Sequence, residues 1–204
     1  MDYVHPADVA EPGGEPLSDR RAAPLAPRAE QRFSGDESGA TAVEMALVAT
    51  PFFAILFAIV QIGFRFFAAE ALDTAVADAA RQIMTGQVQG NVAIASPSQF
   101  RDQILCNPAK RLLPSFMDCS KLVVDVRTLA SFNAASFTDT AADLLTGKTE
   151  PVYQPGDKGS IVVARAAYGI PAIAPGLTGG GAHLIDGEEK YALLGVFVFR
   201  NEPF

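Results

Sequence analysis

From Met45 to Phe64 the chain reads MALVATPFFAILFAIVQIGF, with no charge and with Thr50 and Gln61 as its only polar side chains. Twenty helical residues rise about 30 Å, the thickness of the hydrocarbon core of a bilayer. Core helices of soluble proteins are usually shorter and keep a polar face, so this run predicts a membrane span. Past it the pattern changes. From Arg65 to Met84 there is neither Gly nor Pro, and alanine, the strongest helix former, dominates. Leu72, Val76, Ala79 and Ile83 step by 4, 3 and 4 and so share one helix face. Glu70, Asp73, Asp78 and Arg81 lie mostly off that stripe, with Asp78 and Arg81 placed for a weak pair.

The two patterns together predict one helix from about Thr41 to Thr85, roughly 65 Å long, with its first half in lipid and its second half amphipathic. Gly86 is its natural stop, and Pro51 removes a backbone bond and should bend it inside the membrane. A single-pass protein of any kind can continue its helix beyond the bilayer, so this design alone does not assign a function.

Residues 86–204 are enough for one modest core. Ser96-Pro97-Ser98-Gln99 reads as a capping box with proline at the first helical position, opening a helix that turns Phe100 and Ile104 inward and ends before Asn107-Pro108. Lys121–Leu129 and Ser160–Tyr168 read as strands, the second announced by the turn signal Gln154-Pro155-Gly156-Asp157. A short helix is expected around Thr138–Leu145, closed by Gly147. Gly179-Gly180-Gly181 predicts a loop, and Tyr191–Phe199 a final strand apolar enough to lie inside a sheet. The expected class is α+β: a long membrane-spanning helix continuing into a small head, with an antiparallel sheet laid on that helix. The expected division is a leader (1–39), a transmembrane and amphipathic stalk (40–85) and a head (86–204).

Charge bears mainly on the leader. It holds eight acids, four arginines, five prolines and four glycines, and so carries −4 of the chain's net −7. Such a stretch cannot bury enough apolar surface to offset its ordering entropy, so disorder is expected. Its length separates the following span from a secretory signal, whose apolar core lies within the first 15–30 residues or so. Arginines do not orient the span: Arg28 and Arg32 on one side balance Arg65 and Arg81 on the other. The two cysteines, Cys106 and Cys119, have no CxxC or histidine partner, which disfavours a metal site. A disulfide between them is the favoured reading and implies an oxidising compartment; two reduced, buried cysteines are the alternative.

Candidate chemistry is sparse. Of the two histidines, His5 falls in the leader and His183 beside the glycine loop, where a solvated loop histidine is expected. No nucleophile elbow, phosphate loop, dinucleotide fingerprint or metal-spaced ligand set is present, so no catalytic residue, metal, cofactor or small-molecule substrate is expected. Asp186-Gly187-Glu188-Glu189-Lys190 reads as a turn entering a strand and not as a calcium site. A net charge of −7 without a basic stripe disfavours nucleic-acid binding.

The junction of leader and span carries the specific pattern. Gly39 directly precedes it, and Glu44 is the fifth residue after Gly39, a lone carboxylate at the mouth of a membrane-length run. This spacing resembles the type IV prepilin processing site. GATAVEMALV, the aromatic-rich FFAILFAIVQIGFRFF and the Ala-rich ALDTAVADAARQ together resemble the TadE-like family, small pilin-like proteins of the bacterial tight-adherence (Flp) pilus system. The resemblance covers roughly residues 38–84, and the terminal FVFRNEPF is similar to endings in that family. It implies cleavage between Gly39 and Ala40, an assembly role for Glu44, and no enzymatic activity. It also implies an inner-membrane anchor with a cytoplasmic N-terminus and a periplasmic head. The implied partners are a prepilin peptidase, a sister minor pilin and the pilus assembly platform.

Two features depart from pilins proper: Ala40 stands where major pilins often carry an aromatic residue, and the leader is long and acidic. Both fit an alternative, an uncleaved single-pass protein with a periplasmic binding domain. Glu44 itself has two readings. After cleavage it would lie one helical turn, about 6 Å, from the new Ala40 amino group and could pair with that group in its own chain or a neighbouring subunit. Otherwise it snorkels at the membrane edge.

Overall fold

The computed structural model describes residues 38–90, 94–135, 138–173, 176 and 180–203. The leader's expected disorder concerns residues that lie, up to Glu37, outside this set, as does Gly179 of the glycine run. The chain divides between Ala46 and Leu47 into two units. One helix, α1 (Ser38–Met84), runs across that division and holds Pro51 in its interior.

In the second unit the two halves of α1 have different surroundings. Phe52, Ile55, Phe57, Ile59 and Val60 are all exposed. Ala68, Leu72, Ala75, Val76, Ala79, Ala80 and Ile83 are buried and form one side of the core. The predicted stripe is therefore the buried face, while Glu70, Asp73 and Arg81 remain exposed. The expected surface pair is present, with Arg81 Nη1 3.6 Å from Asp78 Oδ1. Among the described residues α1 is the one helix long and apolar enough to cross a membrane, and its most apolar stretch is unburied.

Four antiparallel strands make the sheet, β1 (Val123–Leu129), β2 (Ile161–Pro171), β3 (Ala182–Ile185) and β4 (Glu188–Arg200), in the order β1-β2-β4-β3. The period of two decides which residues meet α1. Val162, Ala164, Ala166, Tyr168 and Ile170 of β2 and Tyr191, Leu193 and Phe199 of β4 join the helix stripe in one core. Ala167 faces the other way and packs with Ala141 and Leu144 of a short helix, Ala141–Leu145. Helix and sheet come close together at Gly195. A Cβ there would lie 3.1 Å from Val76 Cγ2 and 3.2 Å from the Leu72 carbonyl oxygen, so a larger residue would push helix and sheet apart by a few tenths of an ångström.

Local signals resolve as read, with shifted ends. Ser96 caps a turn at Pro97–Phe100, which continues as a π-helical turn over Arg101–Leu105 and stops before Asn107. Its capping box is displaced: the Gln99 side chain accepts from the Ala95 N–H at 2.8 Å. Helix Ala141–Leu145 starts later than expected because Thr140 and Asp143 form the reciprocal capping box there. The last strand lies inside the sheet, as its apolar sequence requires. One element was not foreseen. The residues after the glycine run pair with β4 as the edge strand β3, so His183 stands exposed on a strand and not in a loop. Asp186 and Gly187, with φ of 53° and 78°, make the two-residue turn of that hairpin. Lys190 Nζ lies 3.3 Å from both Asp186 and Glu188 and clamps it.

The chain's last residues close the far end of α1. The Glu202 N–H donates to the Met84 carbonyl at 2.9 Å, satisfying one of the carbonyls that a helix end leaves open. Buried Asn201 holds that segment in place: its side-chain amide donates to the Pro155 and Asp157 carbonyls at 2.9 and 3.0 Å.

Candidate anchoring and processing segment

Gly39, Ala40 and Glu44 all fall in the opening turns of α1, and all three are exposed. The helix begins before the expected Thr41, so the Gly39–Ala40 bond is inside its first turn. Among the described residues a Cβ built on Gly39 would meet nothing within 4 Å, and the same holds for Gly63. Packing among the described residues therefore does not require glycine at position 39. Among the described residues no cation is ion-paired with Glu44.

The outer end of the apolar run is built differently. Phe64 and Phe67 lie on one helix face, and Phe116 packs against both, with ring centroids 5.4 and 5.8 Å away. Phe116 sits on the loop closed by the Cys106–Cys119 disulfide, whose Cα atoms are 6.1 Å apart. Both cysteines are thus brought together as the sequence suggested. Buried Leu113 and Met117 anchor this loop in the core, the Arg111 guanidinium donates to the Met117 carbonyl, and the Asp118 N–H donates to the Tyr168 hydroxyl at 3.0 Å. Ser120 donates to the Asp118 carboxylate, through its hydroxyl and its backbone N–H, and holds that acid below the usual range. The Arg65 guanidinium lies 4.9 Å from the centre of the Tyr191 ring, a cation–π contact.

A buried charge cluster stiffens the sheet face turned away from α1. Asp125 and Arg165 are cross-strand partners, 0 and 1 % exposed, joined by hydrogen bonds of 2.7 and 3.0 Å. Arg165 also reaches Asp139 at 2.9 Å, while Arg127 and the Val152 N–H complete the shell of Asp125. The bond from Arg165 outweighs desolvation and holds the Asp139 carboxyl below its ordinary value. Burial works against the charge on Arg165, and the bonds to Asp139 and Asp125 overcome it, raising its pKa. Tyr153, packed on Phe100, has its hydroxyl pushed up to about 12 by burial.

Sequence reasoning missed Phe116, Tyr191 and this cluster. The signal for the cluster was partial: charges interrupt apolar strands at Asp125, Arg127 and Arg165, a pattern that fits cross-strand pairing or a solvated sheet face equally well. Nothing in the sequence ties Phe116 to Phe64, because the loop's path sets that contact. Among the described residues no group of three His, Cys, Asp or Glu side chains is arranged to hold a metal ion. A cleft of about 430 Å³ between α1 and the disulfide loop is lined mainly by Gln82, Gln87, Gln103, Asn107, Asp78 and Lys110.

Comparison with known proteins bears on the stalk alone. No curated protein and no solved structure matches the chain. Residues 39–81 match the family model described as TadE-like protein, from the glycine before the span to the amphipathic half of α1, so the stalk of this chain is TadE-like in sequence.

Proposed function

We propose that the chain is a minor pilin-like subunit of a tight-adherence pilus. The span from Met45 to Phe64 holds it in the inner membrane, with the leader in the cytoplasm and the head in the periplasm. The observation that carries this reading is the position of the TadE-like match: it opens at Gly39, takes in exposed Glu44, and covers the apolar run from Met45 to Phe64 of the one candidate span among the described residues. The disulfide supports an oxidising compartment for the head. Packing leaves Gly39 unexplained, which supports a requirement imposed from outside the fold: a peptidase cleft needing a residue without a side chain. Helix ends fray readily, so the first turn of α1 can open to such an enzyme. Cleavage frees the Ala40 amino group, and Glu44 then pairs with it or with that of a neighbouring subunit, setting the depth of one stalk against the next. The prepilin peptidase, a sister minor pilin and the assembly platform are the partners of this scheme. Its chemistry is structural, not catalytic.

The Gly39–Ala40 bond inside a helical turn favours one rival, a single-pass protein that keeps its leader and binds envelope partners through its head. Two variants separate them. Gly39→Trp should accumulate with the leader attached, and Glu44→Ala should enter the membrane normally yet leave cells without pili. Pili at wild-type number with Glu44→Ala would remove Glu44 from assembly and favour the rival.

A further inference from the structure

We infer that the disulfide loop is a second membrane contact: Phe116, together with Phe64, Phe66 and Phe67, seats the base of the head in the interfacial zone of the bilayer. The inference rests on the membrane reading of α1 and adds to it a place where the head touches lipid.

The observations converge on one level of the helix. Phe66 is 67 % exposed and Phe116 41 %, and Phe64 and Phe67 also keep large exposed areas although Phe116 packs on both. Phe64, Phe67 and Phe116 form one apolar surface, continuous with the unburied stretch of α1 below, and exposed Phe66, about 100° further round the helix, carries the same apolar level to another side. Surfaces facing water rarely expose so large a contiguous apolar patch. The polar boundary follows at once: Glu70, one turn beyond Phe67, and Asp73 are exposed carboxylates. Phe116 therefore lies on the lipid side of that boundary. Arg65 of α1 places its guanidinium over the ring of Tyr191 on β4, the posture of a cation at a headgroup level. Aromatic rings concentrate at such interfaces. The disulfide gives the arrangement its purpose, since it fixes a loop that carries an exposed ring next to the lipid.

The chain has no tryptophan, so a single substitution supplies a lone fluorescent reporter. Full-length Phe57→Trp, Phe116→Trp and Phe132→Trp variants, reconstituted into phosphatidylcholine–phosphatidylglycerol vesicles, are compared with lipids brominated at shallow and deep acyl positions. Phe132 is exposed beyond the end of β1, where Leu129, Ile161 and Arg200 align at the end of the head remote from the span. Shallow bromines should quench Phe116→Trp about twofold or more beyond Phe132→Trp, as expected of a ring at interfacial depth, and deep bromines should quench Phe57→Trp. Ser115→Trp, an exposed neighbour on the same loop, should follow Phe116→Trp and covers the case in which the latter misfolds. If Phe57→Trp is quenched but both loop reporters behave like Phe132→Trp, the inference is overturned and the anchor stands. Loop reporters shielded from both bromine and aqueous iodide would mean that protein covers the patch, which also overturns it. An unquenched Phe57→Trp would overturn the membrane reading itself.

Discussion

The stretches Leu47–Phe67 and Ala68–Met84 belong to one helix, the first rich in β-branched and aromatic residues and the second in alanine, and their surroundings differ. In the first, apolar side chains point in every direction and none of the large ones is buried. In the second, small and medium apolar residues are confined to one face, which the sheet covers, and charges occupy the other. Propensity favours the helix in the second stretch alone, and the angular distribution of apolar residues decides what each half packs against. The alanines of the second half serve a further purpose. Ala68, Ala75, Ala79 and Ala80 keep the helix surface low, and Gly195 lowers the sheet to meet it.

The largest test of this contrast strikes the support of the second half. Asp125→Ala leaves Arg165 buried without its main partner and should destabilise the head by about 3–5 kcal/mol, while membrane insertion is unchanged. Denaturant unfolding of the full chain in detergent, followed by a head signal, measures the first effect, and carbonate extraction measures the second. Next, Leu72→Ala should cost about 2–5 kcal/mol in the same unfolding assay. Leu56→Ala, an equal truncation in the span, should leave the head's midpoint where it was. Equal effects of the two would break the comparison.

Much of the fold was legible because it rests on periodicity and caps. The long apolar helix, its buried stripe, three of four strands and the Thr140 helix follow local rules that leave marks in the sequence. Strand β3 did not, since four residues with exposed His183 and Leu184 gain strand character only from pairing with β4. The candidate site divides in the same way. The cysteine pair could be named from scarcity, and Gly39 and Glu44 are expected through the family resemblance, whereas Phe116 and the Asp125–Arg165–Asp139 cluster depend on where distant segments meet. The terminal Arg200-Asn201-Glu202 was noticed only as a resemblance, and the fold gives it a mechanical role at the end of α1.

Smaller effects sharpen the picture of the head. Replacing both cysteines with serine should remove about 3 kcal/mol through loop-closure entropy, read as a lower unfolding midpoint that reductant reproduces in the wild type. The smallest expected effect concerns pH. Asp143 is held down to about 2, mainly by the Thr140 N–H, with Lys148 and the Thr140 hydroxyl adding to it. Its folded value lies below its unfolded one, so its contribution is complete above about pH 4 and fades as pH falls through about 2. Wild type and Asp143→Asn should therefore differ in stability near neutrality and converge in acid. A constant difference down to pH 2 would show that the cap does not depend on the charge.

The central claim is that the TadE-like stalk is a processed membrane anchor. Intact-mass and N-terminal analysis of the chain purified from the membrane fraction of its native cell tests this most directly. The account predicts a mature chain that begins at Ala40 and carries the intact Cys106–Cys119 bridge. A membrane-bound chain that retains the leader ahead of Gly39 would contradict it.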